Sequence, residues 1–351
     1  MKKFRTVGVK MNKVLKTISG LILFFIVFCL VIYNQIISSV KNQTSEPEAI
    51  AITETASEDS EYTIGWSVYN NTFEFFHTMQ EGVLDRAAEL GIHVIAHDQK
   101  SSIVEMITGV TDLIEQGIDI LIISPYNPNA MRVIIGLTED AHIPVVVVDI
   151  GTGGTDVEAF IITDSFAGGS LAGEYALELI RRHSITSTNV AILKVEETAA
   201  HARRRGEAFK DIMTQDGYTV VAEITANSDQ TQSYEATREI LASYADDLAV
   251  IFAENDRMAL GAAQAVEEAG KRGQIMVIGF DGDPAAITAI QEGLMQGTIA
   301  QQPYEMGALG VDVAYTILTG GRVIYDDVES KELYVEIYLI DETGQPRRHM
   351  Q

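Results

Sequence analysis

The sequence predicts an α/β protein of two lobes, each a parallel sheet covered by helices on both faces. Three observations carry this. From Tyr62 onward, short runs rich in Ile and Val alternate with segments of helical period, and strand–helix–strand repetition builds parallel sheets. Many of the runs are apolar at consecutive positions, as strands buried on both faces require. Roughly ten such strands in the last 290 or so residues suit two sheets better than one.

The chain ahead of Tyr62 has a different character. Its 351 residues carry a formal net charge of -25, unevenly spread. Residues 1–41 hold seven bases (Lys2, Lys3, Arg5, Lys10, Lys13, Lys16, Lys41) and no acid, leaving 50 acids against 18 bases beyond them. Residues 21–33 are an unbroken apolar run of 13, and the apolar stretch extends over 18–37, about the span of a bilayer core. Six bases precede it, which places the following chain outside the cell. The expectation is a cytoplasmic basic segment (1–17), a retained transmembrane anchor (18–40) and an acidic flexible linker (41–61). A cleaved signal peptide is the competing reading, because 13 residues also fit a signal core. Val27 and Phe28 ahead of Cys29 argue against a lipid anchor.

Beyond the linker, strand-like runs lie at 62–69, 93–97, 119–124, 144–149, 159–163, 189–195, 219–225, 248–253 and 274–280. Residues 101–116 read as an amphipathic helix, with Ile103, Ile107, Val110 and Ile114 on one side. Residues 256–268 open on Asp256 and stop before Gly270, acid at the start and glycine past the end of a helix.

In open α/β sheets, ligands bind beyond the carboxyl ends of the strands. Those ends are polar here. Val148 runs into Asp149, Ala253 into Glu254-Asn255-Asp256, Phe280 into Asp281, Thr163 into Asp164, and the first strand into Tyr69-Asn70-Asn71, with Phe73, Phe75 and Phe76 beyond. Carboxylates and amides beside aromatic rings suit a sugar, whose hydroxyls donate and accept while its apolar ring faces stack. Helix capping is the competing reading for each Asp or Asn taken singly.

These residues resemble the type I periplasmic sugar-binding proteins, the ribose- and galactose-binding group, whose ligand lobes are shared with LacI-type repressors. The resemblance covers about residues 62–342. It rests on Gly65-Trp66-Ser67 with Phe75-Phe76 and Gln80-Glu81-Gly82, on 119–125, 145–149 and 203–209, on Phe-Ala-Glu-Asn-Asp-Arg-Met-Ala-Leu-Gly at 252–261, on Val-Ile-Gly-Phe-Asp at 277–281, and on Thr-Ile-Ala-Gln-Gln-Pro at 298–303. It implies two Rossmann-like lobes joined by three crossovers, near Asp164, Gln301–Pro303 and Tyr325. Residues 62–164 with 302–325 would form the first lobe, and 165–301 with 326–351 the second. By the same resemblance, Asp149 binds sugar hydroxyls from the first lobe, and Arg203, Asn255 and Asp281 from the second. Gln301 reaches the ligand from the hinge, and Phe75 and Phe76 line or stack on the ring.

Departures from the ribose pattern mark a related but altered pocket. Ile150 stands where ribose binders have Arg, Ser228 lies about where they have an aromatic, and the loop at 69–76 is one residue longer. Trp66, Tyr69, Phe73 or Tyr126 are candidates to replace the missing aromatic surface, and Asn70 is a further candidate.

Other function classes are weaker. The acidic balance opposes nucleic-acid binding. One cysteine and scattered histidines give no metal set. Gly151-Thr152-Gly153-Gly154 lacks the Gly-Lys-Ser/Thr of a phosphate loop and reads as a turn. No nucleophile is paired with a base, so neither an enzyme nor a cofactor is expected. Of Arg203-Arg204-Arg205, one is expected in the cleft and the others in surface ion pairs. The expected role is a membrane-anchored extracytoplasmic binding protein for a small neutral sugar, delivering it to an ABC permease. The alternative is a receptor reporting to a membrane sensor histidine kinase. A LacI-like regulator is remote, because residues 1–41 supply an apolar membrane segment in place of a helix-turn-helix.

Overall fold

The computed structural model describes residues 61–197 and 199–347. The expected basic segment, the anchor and all of the linker but Glu61 lie outside them. Among the described residues no helix is long and apolar enough to cross a membrane.

The first lobe is built on β1 (Thr63–Val68), β2 (His93–Asp98), β3 (Ile120–Ile123), β4 (Val145–Val148), β5 (Ala159–Thr163) and β11 (Glu332–Val335), all parallel and ordered β11-β5-β4-β3-β1-β2. The second contains β6 (Asn189–Lys194), β7 (Thr219–Thr225), β8 (Leu248–Ala253), β9 (Met276–Asp281), β10 (Gly297–Ala300) and β12 (Tyr338–Asp341), ordered β12-β10-β9-β8-β6-β7, with β12 antiparallel to β10.

Consecutive apolar residues feed two cores on opposite faces of each sheet, because neighbouring side chains on a strand point opposite ways. In the first lobe Ile64, Trp66, Val68, Ile122, Val148 and Ile161 pack against α1 (Glu74–Leu90) and α9 (Pro303–Leu318). Leu121, Ile123, Val147 and Ile162 pack on the other face, against α2 (Ile103–Glu115) and α3 (Met131–Asp140). The second lobe repeats the plan. Leu193, Ile251 and Val277 face α6 (Gln230–Tyr244), α7 (Asp256–Glu268) and α8 (Pro284–Gln291). Ile192, Phe252 and Ile278 face α4 (Ser165–Arg182) and α5 (Ala200–Gln215).

The chain passes between the sheets three times. It leaves the first lobe after β5, where Asp164 caps α4 by accepting from the Ala167 N–H at 2.9 Å. It returns after β10 through Gln301 and Gln302. It crosses again between Val335 of β11 and Tyr338 of β12. The third crossover is therefore at Glu336-Ile337, not near Tyr325, and β11 belongs to the first lobe, not the second. The reason is edge pairing. β11 covers the open side of β5, Leu333 lying opposite Ile161, and the loop before it is tied down where the Tyr325 hydroxyl donates to the Glu158 carbonyl at 2.8 Å. Side chains lace the crossings together. Thr163 Oγ1 donates to Gln301 Oε1 at 2.5 Å, and Gln302 Nε2 donates to the Glu336 carbonyl at 2.8 Å.

Candidate functional site

Both sheets present their carboxyl ends to one cleft of about 830 Å³ between the lobes. Phe75, Phe76, Asp149, Asn255, Asp281, Gln301, Tyr69 and Tyr126 all line it.

Asp149 stands just past β4 at φ 71°, and Asp281 ends β9 at φ 126°, followed by Gly282 at φ 85°. Such backbone angles are uncommon for residues with a side chain and persist where the surroundings hold them. At Asp281 the holder is visible. The buried carboxylate of Asp256, at the start of α7, accepts from the Gly282 and Asp283 N–H groups at 2.8 Å each and from Thr298 Oγ1 at 2.8 Å. Burial pushes the Asp256 carboxyl well above the ordinary carboxylate range, and the neighbouring Asp281 pushes it further.

Arg205, not Arg203, is the cleft arginine. It is 4% exposed. Its Nη1 donates to the Glu254 carbonyl at 2.7 Å and to Asp281 Oδ1 at 3.2 Å, and its guanidinium lies 3.8 Å from the centre of the Phe280 ring. Arg203 is exposed and does not line the cleft. Two residues turn a helix by about 200°, so only one of the pair can face inward. Arg204 instead joins Glu332 of the first lobe at 3.2 Å.

The Asp281 carboxyl is pushed up to about 6, burial outweighing the opposing pull of Arg205. Burial pushes Asp149 up to about 7, which Arg205 opposes and Asp281 reinforces. Beneath them Glu254 is wholly buried, its Oε2 accepting from the Val195 N–H at 2.8 Å, and burial lifts it to about 7. Gln301 bridges hinge and cleft: its Nε2 donates to Asp281 Oδ1 at 2.7 Å while its Oε1 accepts from Thr163. The capping reading and the cleft reading meet in Asn255. Its Oδ1 accepts from the Met258 N–H at 3.0 Å, yet the residue also lines the cleft.

One wall is aromatic. Tyr69 stacks on Phe76 with ring centres 4.7 Å apart, Tyr126 meets Tyr69 edge-on at 5.1 Å, and Phe75 meets Phe76 at 5.3 Å. Phe73, also lining the cleft, is 42% exposed at its edge. Two candidates are elsewhere. Trp66 is fully buried in the first-lobe core, because it shares a strand face with Ile64 and Val68. Asn70 shapes the loop, accepting from Thr72 and donating to Ser101 Oγ at 2.9 Å. Sequence reasoning missed Asn127, Pro128 and Asn129 after β3, and Glu196, Arg257 and Asp283 in the second lobe. The strand-end rule reaches all of them once the loops are followed a few residues further. Ser228 lines the cleft, and its hydroxyl donates to Glu196 at 2.9 Å.

Comparison with known proteins agrees with this geometry. The family model of the periplasmic binding protein domain matches residues 64–322. The ribose import binding protein RbsB of Haemophilus influenzae is 33% identical over 276 residues, covering 78% of this chain and 91% of that protein. The Bacillus subtilis protein of the same name is 32% identical over 278 residues, covering 79% and 88%. Among solved structures, a periplasmic solute-binding protein of an ABC transporter from Actinobacillus succinogenes with bound D-allose superposes with a TM-score of 0.70 at 26% identity, over 81% of this chain and 98% of that one. A Bacillus halodurans solute-binding protein with bound myo-inositol gives 0.69 at 27% identity, over 82% and 97%. These relatives are binding proteins, not enzymes.

Proposed function

Because the chain belongs to the periplasmic binding protein family, we propose that it is an extracytoplasmic solute-binding protein, closing its two lobes on a pentose- or hexose-like sugar and presenting it to an ABC permease. The observation that carries this reading is the convergence of Asp149 from one lobe with Arg205, Asn255, Asp281 and Gln301 from the other on one cleft with an aromatic wall. Each hydrogen bond to a charged partner contributes about 1.5–3 kcal/mol. Three or four of them, less the cost of ordering, reach the roughly 8 kcal/mol of a micromolar site. Tyr69, Phe76 and Tyr126 supply the surface on which a sugar ring stacks.

The basic segment and apolar run at 1–37 support attachment to the cell membrane by a single N-terminal span, with the binding lobes outside. That tether also favours a second role, in which closure on the sugar is reported to a membrane sensor kinase. Titration calorimetry of the detergent-solubilised protein with pentoses, hexoses, polyols and nucleosides tests the ligand class. Micromolar binding of a sugar supports it, and binding of nucleosides alone removes it. Loss of uptake of that sugar on deletion separates delivery from sensing.

A further inference from the structure

The cleft holds a carboxylate with no countercharge of its own. Asp149 is 5% exposed, it lines the cleft, and among the described residues no group donates a hydrogen bond to its side chain. The nearby guanidinium is already engaged, since Arg205 donates to the Glu254 carbonyl and to Asp281. The next residue is Ile150, which brings no charge. Glu74, Glu196 and Asp283 also face the cleft, with Arg257 as the single further cation among the described residues. Among the described residues the lining thus carries five acids against two bases.

An unpaired buried carboxylate is costly, and a ligand relieves it best by bringing a positively charged donor. A hydroxyl offers a neutral donor, whereas an ammonium offers a charge-assisted bond roughly twice as strong. A ligand carboxylate or phosphate would add to the acidic excess.

We propose that the cleft selects an amino sugar, a monosaccharide whose ammonium group sits against Asp149 while its hydroxyls engage Arg205, Asn255, Asp281 and Gln301. This rests on the sugar-binding reading and narrows it. Burial of Asp149 also favours retention of a proton in the empty cleft, and an arriving ammonium displaces it.

The test is titration calorimetry of the full chain at pH 7 with three matched pairs: glucosamine and glucose, galactosamine and galactose, mannosamine and mannose. N-acetylglucosamine and D-ribose are added as probes. In at least one pair the amine is expected to bind about tenfold tighter than its hydroxyl parent, N-acetylation is expected to remove the gain, and binding is expected to release protons to the buffer. Asp149→Asn keeps the shape and suits the positive φ. It is expected to erase the preference between the members of that pair. Neutral members binding as well as or better than their amines, or binding of D-ribose without any hexosamine, overturns the proposal and leaves the sugar-binding reading standing. An amine preference that survives in Asp149→Asn also overturns it. Absence of binding by every sugar fails both.

Discussion

At the scale of single residues, the cleft is held by a few buried polar groups, each serving two masters. Asn255 caps α7 and lines the cleft. Asn255→Ala is therefore expected to lose about 1 kcal/mol of stability with the cap and ligand affinity besides. Asn255→Ser keeps a capping oxygen, so it is expected to unfold near the wild-type temperature while still binding more weakly. Thermal unfolding and calorimetry on both variants separate the two roles. The Arg205–Asp281 pair sets up a similar contrast. Arg205→Met leaves the half-buried Asp281 carboxylate without its cation, with only Gln301 still donating to it, and is expected to cost roughly 3 kcal/mol in urea unfolding. Adding Asp281→Asn removes the stranded charge, and the double variant is expected to be more stable than Arg205→Met alone. A double variant that is less stable would contradict the assigned pairing.

At the scale of elements, close helix contacts decide where those residues stand. A Cβ at Gly82 of α1 would lie 2.0 Å from the Tyr304 carbonyl oxygen, and one at Gly169 of α4 would lie 2.1 Å from the Arg205 carbonyl oxygen. Both neighbours are backbone and can yield only by moving a helix. Gly169→Ala is thus expected to cost about 1–3 kcal/mol and, by shifting the turn of α5 that carries Arg205, to weaken ligand binding as well. Urea unfolding with calorimetry checks both, and unchanged affinity would refute the coupling.

This is also the scale at which sequence patterns stop. Nine strands were legible from their apolar runs. β10, β11 and β12 were not, because each has only four residues and Thr298, Glu332 and Asp341 place polar side chains inside. Asp149 and Asp281 were legible because strand ends locate them, whereas Glu74, Glu196 and Asp283 reach the cleft from loops and helix starts further on. Arg205 was not separable from Arg203, since helix phase depends on how α5 lies on its sheet. Trp66 was misplaced because the face it occupies follows from its register with Ile64 and Val68.

At the scale of the whole molecule, the buried acids set the response to pH. Glu254 and Asp149 are raised to about 7 and Asp281 to about 6, all by burial, against roughly 4 in an unfolded chain. Between these values the folded state binds more protons, so the stability these three groups contribute is full below about pH 4 and is lost as pH rises through 6 to 7. Exposed acids such as Asp156 and Asp327 are shifted down by their partners and act in the opposite sense, at lower pH. Ligand-free protein is expected to melt at its highest temperature near pH 5 and at lower temperatures toward pH 8. A midpoint that rises over that interval would show that these carboxylates are not dry.

The three crossings also impose a timetable on biosynthesis. The first sheet is completed by β11 and the second by β12, only two residues apart, and α9, which closes one face of the first lobe, is made after nearly all of the second. A ribosome releases the N-terminal part long before either lobe has its full set of strands. Neither core can be completed until residues 332–341 emerge. Completion of both lobes therefore waits on one short stretch, residues 332–341, which supplies the last strand of each sheet in turn.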